Sequence, residues 1–119
     1  MELVSALAVG VGGSLGAVAR YVVGVAIERR AADTLAVNVV GSFVLGITLG
    51  IGIDVGSPIA LAISVGFCGA FTTFSSFAVE TVGLAEDGHI SLAAVNAVGT
   101  LAAAILAVLV GISVGGWIV

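Results

Sequence analysis

The chain has 119 residues, of which 61% are hydrophobic and only 8% charged, with three basic against seven acidic side chains. A soluble domain carries about 25% charged residues, and so few ionisable groups cannot cover the surface of one this size. A mean hydropathy of +1.37 and long uncharged runs argue against a soluble fold and for an all-α polytopic membrane protein. The acidic balance, with a pI near 4.4, argues against nucleic acid as a partner.

No charge falls between Leu3 and Ala19, and the first span is placed at about 3–27. A cleaved signal peptide fits this run poorly: no basic stretch precedes Leu3, and the apolar run is too long. Arg20 is the only charge well inside a span. A basic residue at the membrane centre costs about 2.5–3.5 kcal/mol on insertion scales. Arg20 lies about 14 Å along the helix from Arg29, too far to escape fully to the interface, so a structural or vestibule role is expected. Glu28, Arg29 and Arg30 close the span, and Asp33 or Thr34 is expected to cap the next.

The second span, about 34–53, carries Asn38 followed by Gly41 and Ser42. An asparagine in this setting either hydrogen-bonds between helices, at about 0.6 kcal/mol on average, or offers an amide donor to a polar path. Asp54, Gly56, Ser57 and Pro58 make a tight turn, with Ser57 as N-cap and Pro58 at the first helical position of the third span, about 58–82. The loop 83–88 leads to a fourth span at about 90–115. Short loops make neighbouring helices antiparallel, put both termini on one side and leave residues 1–119 as a single four-helix subunit. Of 18 glycines, Gly12 with Gly16 and Gly46 with Gly50 stand four apart, a spacing that lets helices approach closely in lipid. Orientation is almost unbiased: Arg29 and Arg30 are the only basic residues in a loop.

The densest polar feature is Gly66-Phe67-Cys68-Gly69-Ala70-Phe71-Thr72-Thr73-Phe74-Ser75-Ser76-Phe77, near the middle of the third span. Two glycines and two adjacent threonines weaken a helix there. Irregular backbone at membrane depth is tolerated only when buried in protein or lining a cavity. A helix broken at this point presents free carbonyls at the end of its first half, suited to a hard cation. Its second half begins with free N–H groups, suited to an anion. Phe74 and Phe77 share a helical face, and aromatic ring edges carry positive partial charge. An anion can rest on such edges while hydroxyl and amide donors replace its water. Glu80 is expected at the interface and His89 in a loop. The lone Cys68 allows no intrachain disulfide. No carboxylate pair, nucleophile with a base, or metal-ligand cluster is present in the sequence, so no catalytic residue is assigned and an enzyme is not expected.

These residues resemble the CrcB/Fluc family of fluoride channels. The resemblance is carried by Gly12-Gly13-Ser14-Leu15-Gly16-Ala17-Val18-Ala19-Arg20-Tyr21, by Asn38-Val39-Val40-Gly41-Ser42-Phe43 and by the segment from Gly66 to Phe77. It implies a dual-topology, antiparallel dimer in the cell membrane that exports fluoride passively and relieves fluoride toxicity. It also implies that Phe74 and Phe77 are pathway phenylalanines, that Asn38 is the pore asparagine, and that Thr73 and Ser75 are hydroxyl contacts. Arg20 would match the arginine of the first helix. The backbone carbonyls of Gly69 and Thr72 would hold a central structural sodium ion on the two-fold axis. The chain departs from the family pattern at Ala70, where a second glycine is usual. It also departs in the fourth span, where Asn96 and Thr100 are followed by Ala104. The small arginine bias leaves homodimer and heterodimer with an oppositely inserted homologue both open.

A fluoride path needs donors of high field that replace water without trapping the ion, and hydroxyls, an amide and ring edges meet that need. The alternative class is a small multidrug-type dual-topology transporter. It requires a membrane-embedded carboxylate in the first span, where this chain has Arg20. A scaffold subunit would account for the glycines but not for the buried hydroxyls.

Overall fold

The computed structural model describes residues 2–119, the side chain of Arg30 excepted. The described residues fold into helices joined by short turns: α1 Leu3–Ala26, α2 Arg30–Gly50, α3 Pro58–Leu61, a π-helical segment Ala62–Cys68, α4 Gly69–Phe71, α5 Ser75–Glu86 and α6 Ile90–Ile118. The stretch from Pro58 to Glu86 acts as one bent span, so four segments are long and apolar enough to cross a membrane.

The surface is apolar. Leu7, Val11, Leu15, Val18 and Val22 on α1 are exposed, as are Val95, Val98, Leu101 and Leu109 on α6. Water would not tolerate such a surface, but lipid does. Backbone contact between helices supplies the interior. A Cβ at Gly12 would collide with the Ala62 carbonyl, one at Gly16 with the Phe67 carbonyl and one at Gly66 with the Val9 carbonyl, so α1 lies directly on the third span. On the other side, Gly46 and Gly111 meet, and Gly50 lies against Ile112 and Gly115. Those pairings make α2 and α6 parallel, as two successive reversals of the chain require.

Several boundaries differ from the sequence expectation. The second helix begins at Arg30, with Arg29 at its N-cap position and no side-chain cap. Asp33 and Thr34 therefore lie inside the helix. Their side chains are turned to tertiary partners: Asp33 to Arg20 and Thr34 to Glu80. Asp33 still places negative charge in the first helical turn, where the helix dipole favours it. The same helix stops at Gly50, because Gly52 takes the left-handed conformation at φ +74. The third span continues to Glu86, and α6 to Ile118. The predicted turn forms as expected, with the Gly56 N–H donating to Asp54 Oδ1 and the Ala60 N–H to Ser57 Oγ.

The Pro58–Glu86 span is not a regular helix. Seven residues, Ala62–Cys68, are π-helical, a form that is rare and frequently found at functional sites. After the three residues of α4, Thr72 adopts an extended conformation (φ −83, ψ 165) and the helix stops; it resumes at Ser75.

Candidate ion-conducting site

The interruption at residues 72–74 is held by Asn38. Its Oδ1 accepts from the Thr73 N–H at 2.8 Å, and its Nδ2 donates to the Thr73 carbonyl at 3.0 Å. One side chain thus replaces both hydrogen bonds that a helix would have given this peptide residue, and removes the cost of leaving them unmade in an apolar surrounding. One turn along α2, Gly41 leaves the space that the Thr72 methyl fills; a Cβ there would collide with it. The Asn-Val-Val-Gly spacing therefore fits a bent chain and not a straight one.

The break frees carbonyls. In a continuous helix the Thr73 N–H would reach the Gly69 carbonyl, but it is bonded to Asn38. The Ser76 N–H, which would reach Thr72, donates instead to Thr73 Oγ1 at 3.2 Å. Gly69 is exposed, and a Cβ there would meet nothing within 4 Å. These two carbonyls, released from helical pairing, are hard, uncharged donors of the kind that suits a sodium ion. The second half of the span offers fewer free donors than a bare helix start would, because the Thr73 hydroxyl caps it.

Phe74 and Phe77 face each other at 5.8 Å between ring centroids and 49° between planes. Phe74 is 78% exposed, so one chain alone does not enclose it. Both rings line a cavity of about 440 Å3 together with Asn38, Gly69, Thr72 and Thr73. That cavity also reaches Ser42, Ser64, Cys68 and Thr100. Ser42 and Ser64 donate to their own helices, to the Asn38 and Ala60 carbonyls at 2.6 Å each.

The remaining expected residues lie elsewhere. Ser75 sits 3.4 Å from Thr73 Oγ1 but lines a different recess, with Arg20, Asp33, Thr34, Ser76 and Glu80. Arg20 approaches Asp33 at 3.6 Å, the two side chains retaining 24% and 14% of their exposure. Its partner was therefore present in the sequence, read there as a cap. Thr34 donates to Glu80 Oε1 at 2.8 Å and ties the start of α2 to the end of the third span. Asn96 and Thr100 part company: Thr100 lines the cavity of Phe74 and Phe77, whereas Asn96 donates to Thr81 Oγ1 at 2.8 Å. Ser64 and Thr81 escaped sequence reasoning. A single hydroxyl in an apolar helix carries no periodic signal, and only its register against a neighbour shows what it faces.

A family model described as "CrcB-like protein, Camphor Resistance (CrcB)" matches residues 7–112. A protein named fluoride-specific ion channel FluC 2 from Natronomonas pharaonis is 64% identical over 115 residues, covering 97% of both chains. A second protein of that name, from Haloarcula marismortui, is 50% identical over 110 residues and 91% of both chains. The fluoride-specific ion channel FluC of Acidobacterium capsulatum is 43% identical, over 93% of this chain and 95% of its own.

Proposed function

The chain belongs to the CrcB/FluC family of fluoride channels, a multi-pass membrane protein and not an enzyme, and from that premise we propose how its residues carry the ion. The whole of 1–119 acts as one channel subunit, and two subunits insert in opposite directions to form the conducting unit. The 78% exposure of the Phe74 ring supports this pairing, since a ring that guides an anion must be shielded from lipid. Homodimer and heterodimer with an oppositely oriented homologue both satisfy that requirement.

Fluoride enters by way of Arg20, whose charge raises the local anion concentration and whose pairing with Asp33 keeps it from trapping the ion. Ser75 and Thr73 hydroxyls receive it near the break. It then passes the edges of Phe74 and Phe77, while Asn38, with one N–H engaged by Thr73, keeps its second N–H for the ion. Beyond the recess where Arg20 lies with Asp33 and Glu80, every group along the path bears only partial charge, so binding replaces hydration and still permits release. Transport is passive and runs down the fluoride gradient, which exports fluoride and relieves its toxicity.

The Gly69 and Thr72 carbonyls, with their counterparts in a second subunit, would hold a structural sodium ion. Bound there, it would supply positive charge beside the break and would not itself be carried. The small multidrug-type alternative gives way to relatives of nearly full length named as fluoride channels.

The observation that carries the mechanism is the double hydrogen bond between Asn38 and Thr73, which fixes the break beside the phenylalanine pair. The test is a fluoride-electrode efflux assay on proteoliposomes, run with sodium and with a large organic cation in its place. Rapid fluoride release, with chloride far slower and with sodium required, is expected. Equal chloride release would refute the selectivity, and undiminished release without sodium would refute the cation site.

A further inference from the structure

The second half of the third span poses a mechanical problem. None of the twelve residues of α5 is fully buried in the subunit, yet this half-helix carries Phe77, which must stay at a fixed distance from the wall opposite. That wall is α6. The turn at residues 87–89 makes α5 and α6 antiparallel neighbours, and the bond between Thr81 and Asn96 sets their register. One helical turn away from that bond, four residues back on α5 and four forward on α6, stand Phe77 and Thr100, and both line the cavity that holds the two phenylalanine rings.

The hydrogen bonds form a relay. Asn96 Nδ2 donates to Thr81 Oγ1 at 2.8 Å, and the Thr81 hydroxyl donates to the Phe77 carbonyl at 2.8 Å. The hydroxyl therefore accepts from one helix and donates to the backbone of the residue whose ring faces the ion. In an apolar surrounding an unmatched amide N–H is costly, so Asn96 holds Thr81 and does not wander into the cavity. Among the described residues Asn96 stands outside the cavity lining, while Thr100 on the same helix lies within it.

We infer that Asn96 and Thr81 are positioning residues that set the width of the passage between Phe77 and Thr100, and through it the discrimination between fluoride and larger halides. The inference rests on the reading of that cavity as the fluoride path. A small gap favours the smallest halide, because donors and ring edges on both walls reach it together. A gap that widens loses those paired contacts for fluoride and admits chloride.

The experiment compares Thr81→Val, Thr81→Ser, Asn96→Leu and the double variant Thr81→Val/Asn96→Leu in proteoliposomes, measuring fluoride and chloride efflux on the same preparation. Valine keeps the shape of threonine and removes the hydroxyl, while serine keeps the hydroxyl. Thr81→Val and Asn96→Leu are each expected to lower the fluoride-to-chloride flux ratio by about threefold, the scale of one interhelical bond in a membrane. The double variant is expected to lower it no further, and Thr81→Ser to behave as wild type. Unaltered ratios in Thr81→Val, multiplying losses in the double variant, or equal defects in the serine and valine variants would each overturn the clamp. If Thr81→Val does not accumulate, Asn96→Leu reads the same bond from the other side. Wild-type protein that releases no fluoride would overturn the channel reading itself, whereas wild-type release with an unaffected Thr81→Val overturns only the clamp.

Discussion

Replacing Asn38 by aspartate changes one atom and inverts what the site offers. In the native chain Nδ2 donates to the Thr73 carbonyl at 3.0 Å and Oδ1 accepts from the Thr73 N–H at 2.8 Å. Aspartate keeps the second bond, strengthened by charge, and loses the first, so a carboxylate oxygen faces a carbonyl oxygen. Losing a buried partner in this way costs about 1–3 kcal/mol, which lowers stability without abolishing the break. The effect on the ion is larger. Two like charges about 4 Å apart repel by about 4 kcal/mol at an effective dielectric constant of 20, which slows passage by roughly a thousandfold. Asn38→Leu serves as the comparison, since it removes both hydrogen bonds and adds no charge. Fluoride-electrode efflux from vesicles of equal protein content measures both, and size-exclusion chromatography reports whether each variant is still assembled. Aspartate is expected to be the slower of the two. Monodisperse Asn38→Asp protein with fluoride flux within threefold of wild type would refute the placement of Asn38 on the ion path.

Phe74→Ile removes a ring edge and its 5.8 Å pairing with Phe77; fluoride efflux should fall by roughly tenfold, on the order of 1.4 kcal/mol, with the protein still assembled. Gly12→Ala drives a methyl into the Ala62 carbonyl, whereas Gly10→Ala meets nothing within 4 Å. Thermal unfolding in detergent should show the first destabilised by about 1–3 kcal/mol or more and the second unchanged. Exchange of sodium for a large organic cation should lower both the fluoride flux and the melting temperature of the assembled protein, as removal of any ligand specific to the folded state does, and restoring sodium should recover both.

The membrane character, the four spans and the weak point in the third were legible in the chain itself, because each follows from local chemistry. Uncharged runs of sufficient length cross the hydrocarbon whatever surrounds them. Adjacent threonines between phenylalanines weaken a helix by their own rotamer limits. Ser57 and Pro58 start a helix through atoms only a few residues apart. The family motifs added the ion, and relatives of nearly full length bear out the fluoride channel.

Tertiary structure decided which side chain meets which. Asp33 reads locally as a cap, but Arg20 draws its carboxylate across from α1, and the helix begins at Arg30 without it. Asn38 offers an amide to anything within reach, and only the close fit of Gly41 against Thr72 brings Thr73 to it. Asn96 and Thr100 look equivalent on one helical face, yet the register of α6 against α5 gives one a hydroxyl to hold and the other a cavity to line. Sequence periodicity fixes which residues share a face of a helix. What stands opposite that face depends on packing between segments distant along the chain, and no local rule encodes it.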